Sequence, residues 1–209
     1  MTQPLPPYSW LALGDSYTIG EAVPLFENYP YQAVQLLRQA GYPFSAPEII
    51  ARTGWTTGEL KQAIAQTLLQ PAYDIVSLLI GVNNQYRGYS PEDYAAGFEQ
   101  LLQQALVSAG NQPQRVFVLS IPDWGATPFA ADRQNNPTAV SAAIDQFNQI
   151  NRTIALRYGT HYIDITPGSR LAITDASLLA ADQLHYSGKE YARWAALLVP
   201  AIKNALQQG

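Results

Sequence analysis

A serine hydroxyl is a weak nucleophile at neutral pH until a neighbouring base takes its proton, and a neutral imidazole is the side chain suited to that task. The chain holds two histidines, His161 and His185. His185 closes the segment Asp182-Gln183-Leu184-His185, where a tight loop can fold the carboxylate back onto one ring nitrogen and leave the other facing a serine. His161 lies inside a strand-like run, where a ring packs or sits at an edge. Ser16, in Gly14-Asp15-Ser16, is the serine best placed to act.

An acyl-transfer site also needs donors aimed at the developing oxyanion, and losing one typically costs about 10²–10³ in kcat. Asn83, in Gly81-Val82-Asn83-Asn84, can supply a side-chain N–H, and Ser16 and Gly54 can supply backbone N–H groups. Without a Cβ, Gly54 lets the backbone come close to a tetrahedral centre. Each segment also has a plainer reading. Asp182 to His185 can be a solvated turn before a helix, and Gly14-Asp15-Ser16 a turn in which Asp or Ser caps a helix. Gly54 can simply make a turn, and Asn83 can cap local backbone.

The elements around these segments predict where they meet. Apolar runs over 8–13, 47–51, 73–80, 115–121 and 161–165 read as strands. Helical patterns cover 30–40, 57–69, 91–109, 138–158 and 188–206. Near-continuous apolar runs such as YDIVSLLI belong in a sheet covered on both faces. Strands alternating with helices predict right-handed crossovers and a flavodoxin-like, doubly wound, five-stranded parallel sheet in a three-layer α/β/α fold. In such sheets, sites form beyond the carboxyl ends of the strands, where the Ser16, Gly54 and Asn83 segments fall. Ser187-Gly188-Lys189-Glu190 has capping-box spacing, which would anchor the His185 loop from behind. The GDSYTIGE segment is expected to be a long loop, and 122–137 a linker without structure of its own and a candidate lid.

Length and composition bound the partners. A chain of 209 residues, 47% apolar and 13% charged, fits one α/β domain with a full core. The net charge of −4 and the scattered Lys and Arg give no footprint for a phosphate backbone, so no nucleic-acid partner is expected. Zero cysteines exclude a disulfide framework, a thiolate zinc site and a thiol nucleophile. No His and carboxylate cluster has metal-ligand spacing, so neither a metal nor a cofactor is expected. The first seven residues lack a basic and an apolar region, and no apolar run is long enough to span a bilayer. A cytoplasmic location without stable membrane insertion is the resulting expectation.

Four blocks occur in order: LALGDSYTIGE, ARTGWTT with Gly54, LLIGVNN with Asn83, and ADQLHYSGKEYARW with Asp182 and His185. In them the chain resembles the GDSL or SGNH hydrolases, over about residues 8–195. The resemblance implies the SGNH hydrolase fold across a single domain, 1–209, and a serine esterase or acylhydrolase that works through an acyl-enzyme intermediate. It implies Ser16 as nucleophile, His185 as base, Asp182 as the acid that orients it, and an oxyanion hole of the Ser16 and Gly54 amides and the Asn83 side chain. LGDSYTIGE, IGVNNQYRG and SIPDWGATPFA look most similar to bacterial lysophospholipase-like acylhydrolases. The chain departs from the common family pattern at Asn84, where Asp is usual. Ser16 is followed by Tyr17 and Thr18, so the G-x-S-x-G elbow of α/β-hydrolases is absent.

The expected substrate is a small ester. Tyr17, Asn84, Tyr86, Trp124 and Phe129 are candidate contacts, with Tyr89 a further aromatic at the same edge. The rival reading is a binding module in which Ser16, Thr18 and Gly20 cradle a phosphate or flavin, or a non-catalytic relative that only binds ligand.

Overall fold

The computed structural model describes residues 6–132 and 136–207. Its strands are β1 (Trp10–Gly14), β2 (Glu48–Ala51), β3 (Ile75–Leu79), β4 (Val116–Leu119) and β5 (His161–Ile163). Every residue of β1, β3 and β4 is buried, as expected of central strands covered on both faces, whereas β2 and β5 keep partly exposed residues at the edges. All pairings are parallel and the order is β2-β1-β3-β4-β5. The one polar residue of β3, Ser77, is satisfied in the core: its hydroxyl accepts from Trp10 Nε1 and bonds the Tyr29 hydroxyl.

The helices are α1 (Ser16–Ile19), α2 (Tyr29–Gln39), α3 (Thr57–Gln66), α4 (Val82–Tyr86), α5 (Pro91–Ser108), α6 (Pro128–Asp132), α7 (Pro137–Arg157), α8 (Thr166–Ser169) and α9 (Gly188–Gln207). Asn28, Ser90 and Asn136 cap the starts of α2, α5 and α7, each with a proline in the first turn, where its missing N–H is harmless. α2 packs on α9, while α5 packs on both α3 and α7. Right-handed crossovers place these two groups on opposite faces of the sheet.

The chain leaves β1 toward β2 on one side and later passes from β3 toward β4 on the other, so the order reverses between β1 and β3. That reversal opens a crevice at their carboxyl ends. The register pairs Gly14 with Leu79 and with Ala51, so the segments after β1, β2 and β3 leave the sheet at one level. Gly14 is required for the packing there: a Cβ would overlap the Thr18 side chain and the Leu79 carbonyl.

Three expectations need correcting. The GDSYTIGE segment is not a long loop, because helix α1 begins at Ser16 itself. The 122–137 segment is not structureless either: Trp124–Ala126 forms a 3-10 turn and Pro128–Asp132 forms α6, although 133–135 lie outside the described residues. α9 does begin after Ser187, but the capping pair points elsewhere. The Ser187 hydroxyl donates to the Ser177 carbonyl, and the Glu190 carboxylate accepts from the Trp194 indole and lies 3.3 Å from Arg193. Ser187 is taken by the Ser177 carbonyl outside the helix, and Glu190 by partners one turn further along it, so neither closes the local cap.

Candidate active site

Asp15 ends the β1 turn in extended backbone, and its Oδ1 accepts from the Tyr17 N–H, starting α1 with Ser16 as first residue. Ser16 is 4% exposed, and Asp15 is wholly buried. Burial lifts the Asp15 carboxyl to about 7, against the lowering pull of hydrogen bonds from the Tyr17 and Asp15 backbone, and its Oδ2 has no partner.

Ser16 and Tyr17 form one side of a cavity of about 150 Å³ at the crevice. α4 lines a second side with Val82, Asn83 and Tyr86, which helical spacing puts on one face. Trp124 and Phe129 line a third, and Leu184 and His185 close the ring.

His185 Nδ1 bonds Asp182 Oδ2 at 2.6 Å, and Asp182 Oδ1 accepts from the Leu184 and His185 N–H groups. The carboxylate thus ties both ring and loop. Partial burial acts to raise the Asp182 pKa, but the hydrogen bonds from the His185 ring and from the His185 and Leu184 backbone prevail and hold it below the usual carboxylate value. With Nδ1 taken, Nε2 is the nitrogen left for the cavity. Among the described residues no hydrogen bond joins the Ser16 hydroxyl to the ring, although both face the same space.

Asn83 Nδ2 donates to the Trp55 carbonyl, which takes one of its two amide hydrogens and ties α4 to the turn after β2. Gly54 sits in that turn at φ +83, a conformation that favours glycine whatever the space, and does not itself line the cavity. Its carbonyl accepts from Arg87 Nη2 at 2.5 Å, and the same guanidinium pairs with Glu59. Glu59 in turn accepts from the Thr56 N–H and hydroxyl at the start of α3. On the other flank Thr53 donates to Glu21.

Of the sequence-predicted residues, the cavity gathers Ser16, Tyr17, Asn83, Tyr86, Trp124, Phe129 and His185. Asn84 is a correction. It lies on the opposite side of α4, wholly buried, with Oδ1 accepting from the Thr57 N–H and Nδ2 donating to the Thr57 hydroxyl, so it joins α4 to α3 and does not line the cavity. Tyr89 likewise stands outside the cavity, exposed, beyond the end of α4. His161 stacks on Phe117 at 4.5 Å with its Nε2 on the Gln114 carbonyl, a packed edge residue. Nor does the Ser16, Thr18 and Gly20 segment make a phosphate cradle: Thr18 is wholly buried, Gly20 packs against Asn28, and only Ser16 of the three reaches the cavity.

Sequence reasoning missed Val82, Leu184, Gln85 and Arg87. Two are apolar and carry no chemical signal, but reading 82–86 as helix would have put Val82 and Tyr86 together at i, i+4.

The GDSL-like Lipase/Acylhydrolase family profile matches residues 12–193. Solved structures share the fold. TesA superposes with a TM-score of 0.74 at 17% identity, covering 94% of this chain and 99% of that one. A lipase/acylhydrolase from Enterococcus faecalis gives 0.72 at 20% identity, covering 94% and 96%. An acetylxylan esterase from Geobacillus stearothermophilus gives 0.71 at 17%, covering 93% and 94%. No curated protein matches by sequence.

Proposed function

The chain belongs to the GDSL-like Lipase/Acylhydrolase family, and on that premise we propose that it is a serine esterase cleaving small carboxylic esters through an acyl-enzyme intermediate. Ester hydrolysis as a class follows from the family. The roles rest on one observation: Ser16 and the Asp182-bound His185 face the same cavity at the crevice between β1 and β3.

In this reading His185 Nε2 takes the Ser16 hydroxyl proton as Oγ bonds to the ester carbonyl carbon, an approach that tightens once substrate is bound. The carbonyl electron pair moves onto oxygen. That oxyanion is held by the Ser16 N–H and by the Asn83 amide hydrogen not taken by Trp55, with the Gly54 N–H, in the neighbouring turn at the rim of the cavity lining, as the third donor. The intermediate collapses, and the alcohol leaves with the proton from His185. Water then gives a proton to His185, attacks the acyl carbon, and releases the acid as Oγ recovers that proton.

The test is Ser16→Ala, assayed with p-nitrophenyl acetate and a fluorophosphonate label. Both turnover and labelling should vanish while the far-ultraviolet circular dichroism stays unchanged. A variant that still labels would remove Ser16 as the nucleophile.

A further inference from the structure

Among the cavity walls, Trp124 is held by contacts on several sides. Its indole Nε1 donates to Gln85 Oε1 at 2.8 Å, and its ring meets Tyr86 edge-on at 5.4 Å and Phe129 at 6.2 Å. Gln85 and Tyr86 belong to α4, the same helix that carries Asn83, so the wall and the oxyanion donor are one rigid unit.

The backbone beneath Trp124 is equally fixed. The Trp124 carbonyl accepts from the Thr127 hydroxyl, and the Gly125 N–H donates to the buried Asp123 carboxylate. Asp123 is itself held by Arg170, by the Ser169 hydroxyl and by the Tyr186 hydroxyl. A side chain so restrained, only 3% exposed, does not swing aside to admit a longer ligand.

The space it leaves is about 150 Å³ and opens to solvent on one side; an enclosed apolar cavity of that size accommodates about one benzene molecule. Val82, Leu184 and Phe129 give that space apolar walls suited to a hydrocarbon group, beside the Ser16 hydroxyl that would attack its carbonyl.

We propose that Trp124, locked by Gln85, is the specificity-determining residue of this site and limits the acyl group to short or compact acids, excluding long fatty acyl chains. The inference rests on the ester-hydrolase reading above. Methylenes without room in a fixed pocket are strongly discriminated, at about 10-fold or more for each one the pocket rejects.

The experiment measures kcat/KM for p-nitrophenyl acetate, butanoate, octanoate and dodecanoate with the wild type, Trp124→Ala and Gln85→Leu. The wild type should fall at least about tenfold from butanoate to octanoate. Trp124→Ala should shift the octanoate-to-butanoate ratio upward by about tenfold or more, and Gln85→Leu, which keeps the indole but frees it, should shift it the same way by less. If Trp124→Ala fails to fold, Gln85→Leu decides. A flat wild-type profile overturns the inference while leaving the esterase reading intact, and so does a steep profile that the folded variants leave unchanged. A wild type inert toward every chain length overturns the esterase reading, and this inference with it.

Discussion

Replacing Asp15 by Asn should leave the protein nearly unchanged below pH 3.8 and make it progressively more stable than wild type as the pH rises to about 7 and beyond. The carboxyl is wholly buried beside the Ser16 turn, and Oδ2 has no hydrogen-bond partner. Burial raises its pKa from 3.8 to about 7. The folded protein therefore holds this proton more tightly than the unfolded chain does. Its contribution to stability is full below pH 3.8 and is lost as the pH rises through about 7. At about 1.4 kcal/mol per pKa unit, the interval between the two values is worth about 4 kcal/mol, a large part of a domain stability of about 5–15 kcal/mol. Asn keeps an oxygen to accept the Tyr17 N–H but never ionises. Urea unfolding of wild type and variant at a series of pH values from about 4 to about 9 should show their difference growing by about 4 kcal/mol in favour of the variant. In thermal melts the same change is roughly 8–16 °C at the alkaline end. Two stability curves that stay parallel across this range would refute the reasoning, since the carboxyl would then be free to ionise in the fold.

Asp182→Asn should lower kcat by about 10⁴-fold, because the ring loses the partner that fixes its tautomer; near-wild-type turnover of an acetate ester would remove Asp182 from the mechanism. Arg87→Ala should lower kcat by about tenfold with KM little changed, less than the roughly 10²–10³ of losing a whole oxyanion donor, because the Gly54 peptide loses its clamp but keeps its glycine turn; a change in KM alone would mean that Arg87 contacts substrate instead. Arg170→Met should destabilise the fold by about 3 kcal/mol in urea unfolding, since it strands the buried Asp123 carboxylate; a loss under about 1 kcal/mol would show that the remaining Gly125 N–H bond suffices.

The long elements were legible because each carries a full period of its pattern. The strands at 10–14, 75–79 and 116–119 and helices α2, α5, α7 and α9 fall within a few residues of where hydrophobic spacing puts them. Helices α1, α4, α6 and α8 span only four or five residues, too few for a 3.6-residue repeat to show. Asn84 differs from its sequence expectation for that reason: as a loop residue it stands beside Asn83, but as a helix residue it turns away toward Thr57. Its amide meets one donor and one acceptor there, a pairing that no local pattern announces.

What the chain alone determined was chemical identity and order: a serine after the first strand, an amide after the third, an acid and an imidazole three residues apart before the last helix. The Asp182 to His185 contact could be foreseen because it is local, closed by one tight loop. Everything that joins those segments is decided by tertiary structure, because the reversal of strand order between β1 and β3 sets which loops share a crevice. The tie from Asn83 to Trp55, the Arg87 clamp on Gly54, the Gln85 lock on Trp124 and the burial that lifts Asp15 all involve residues whose meeting depends on sheet register and helix packing.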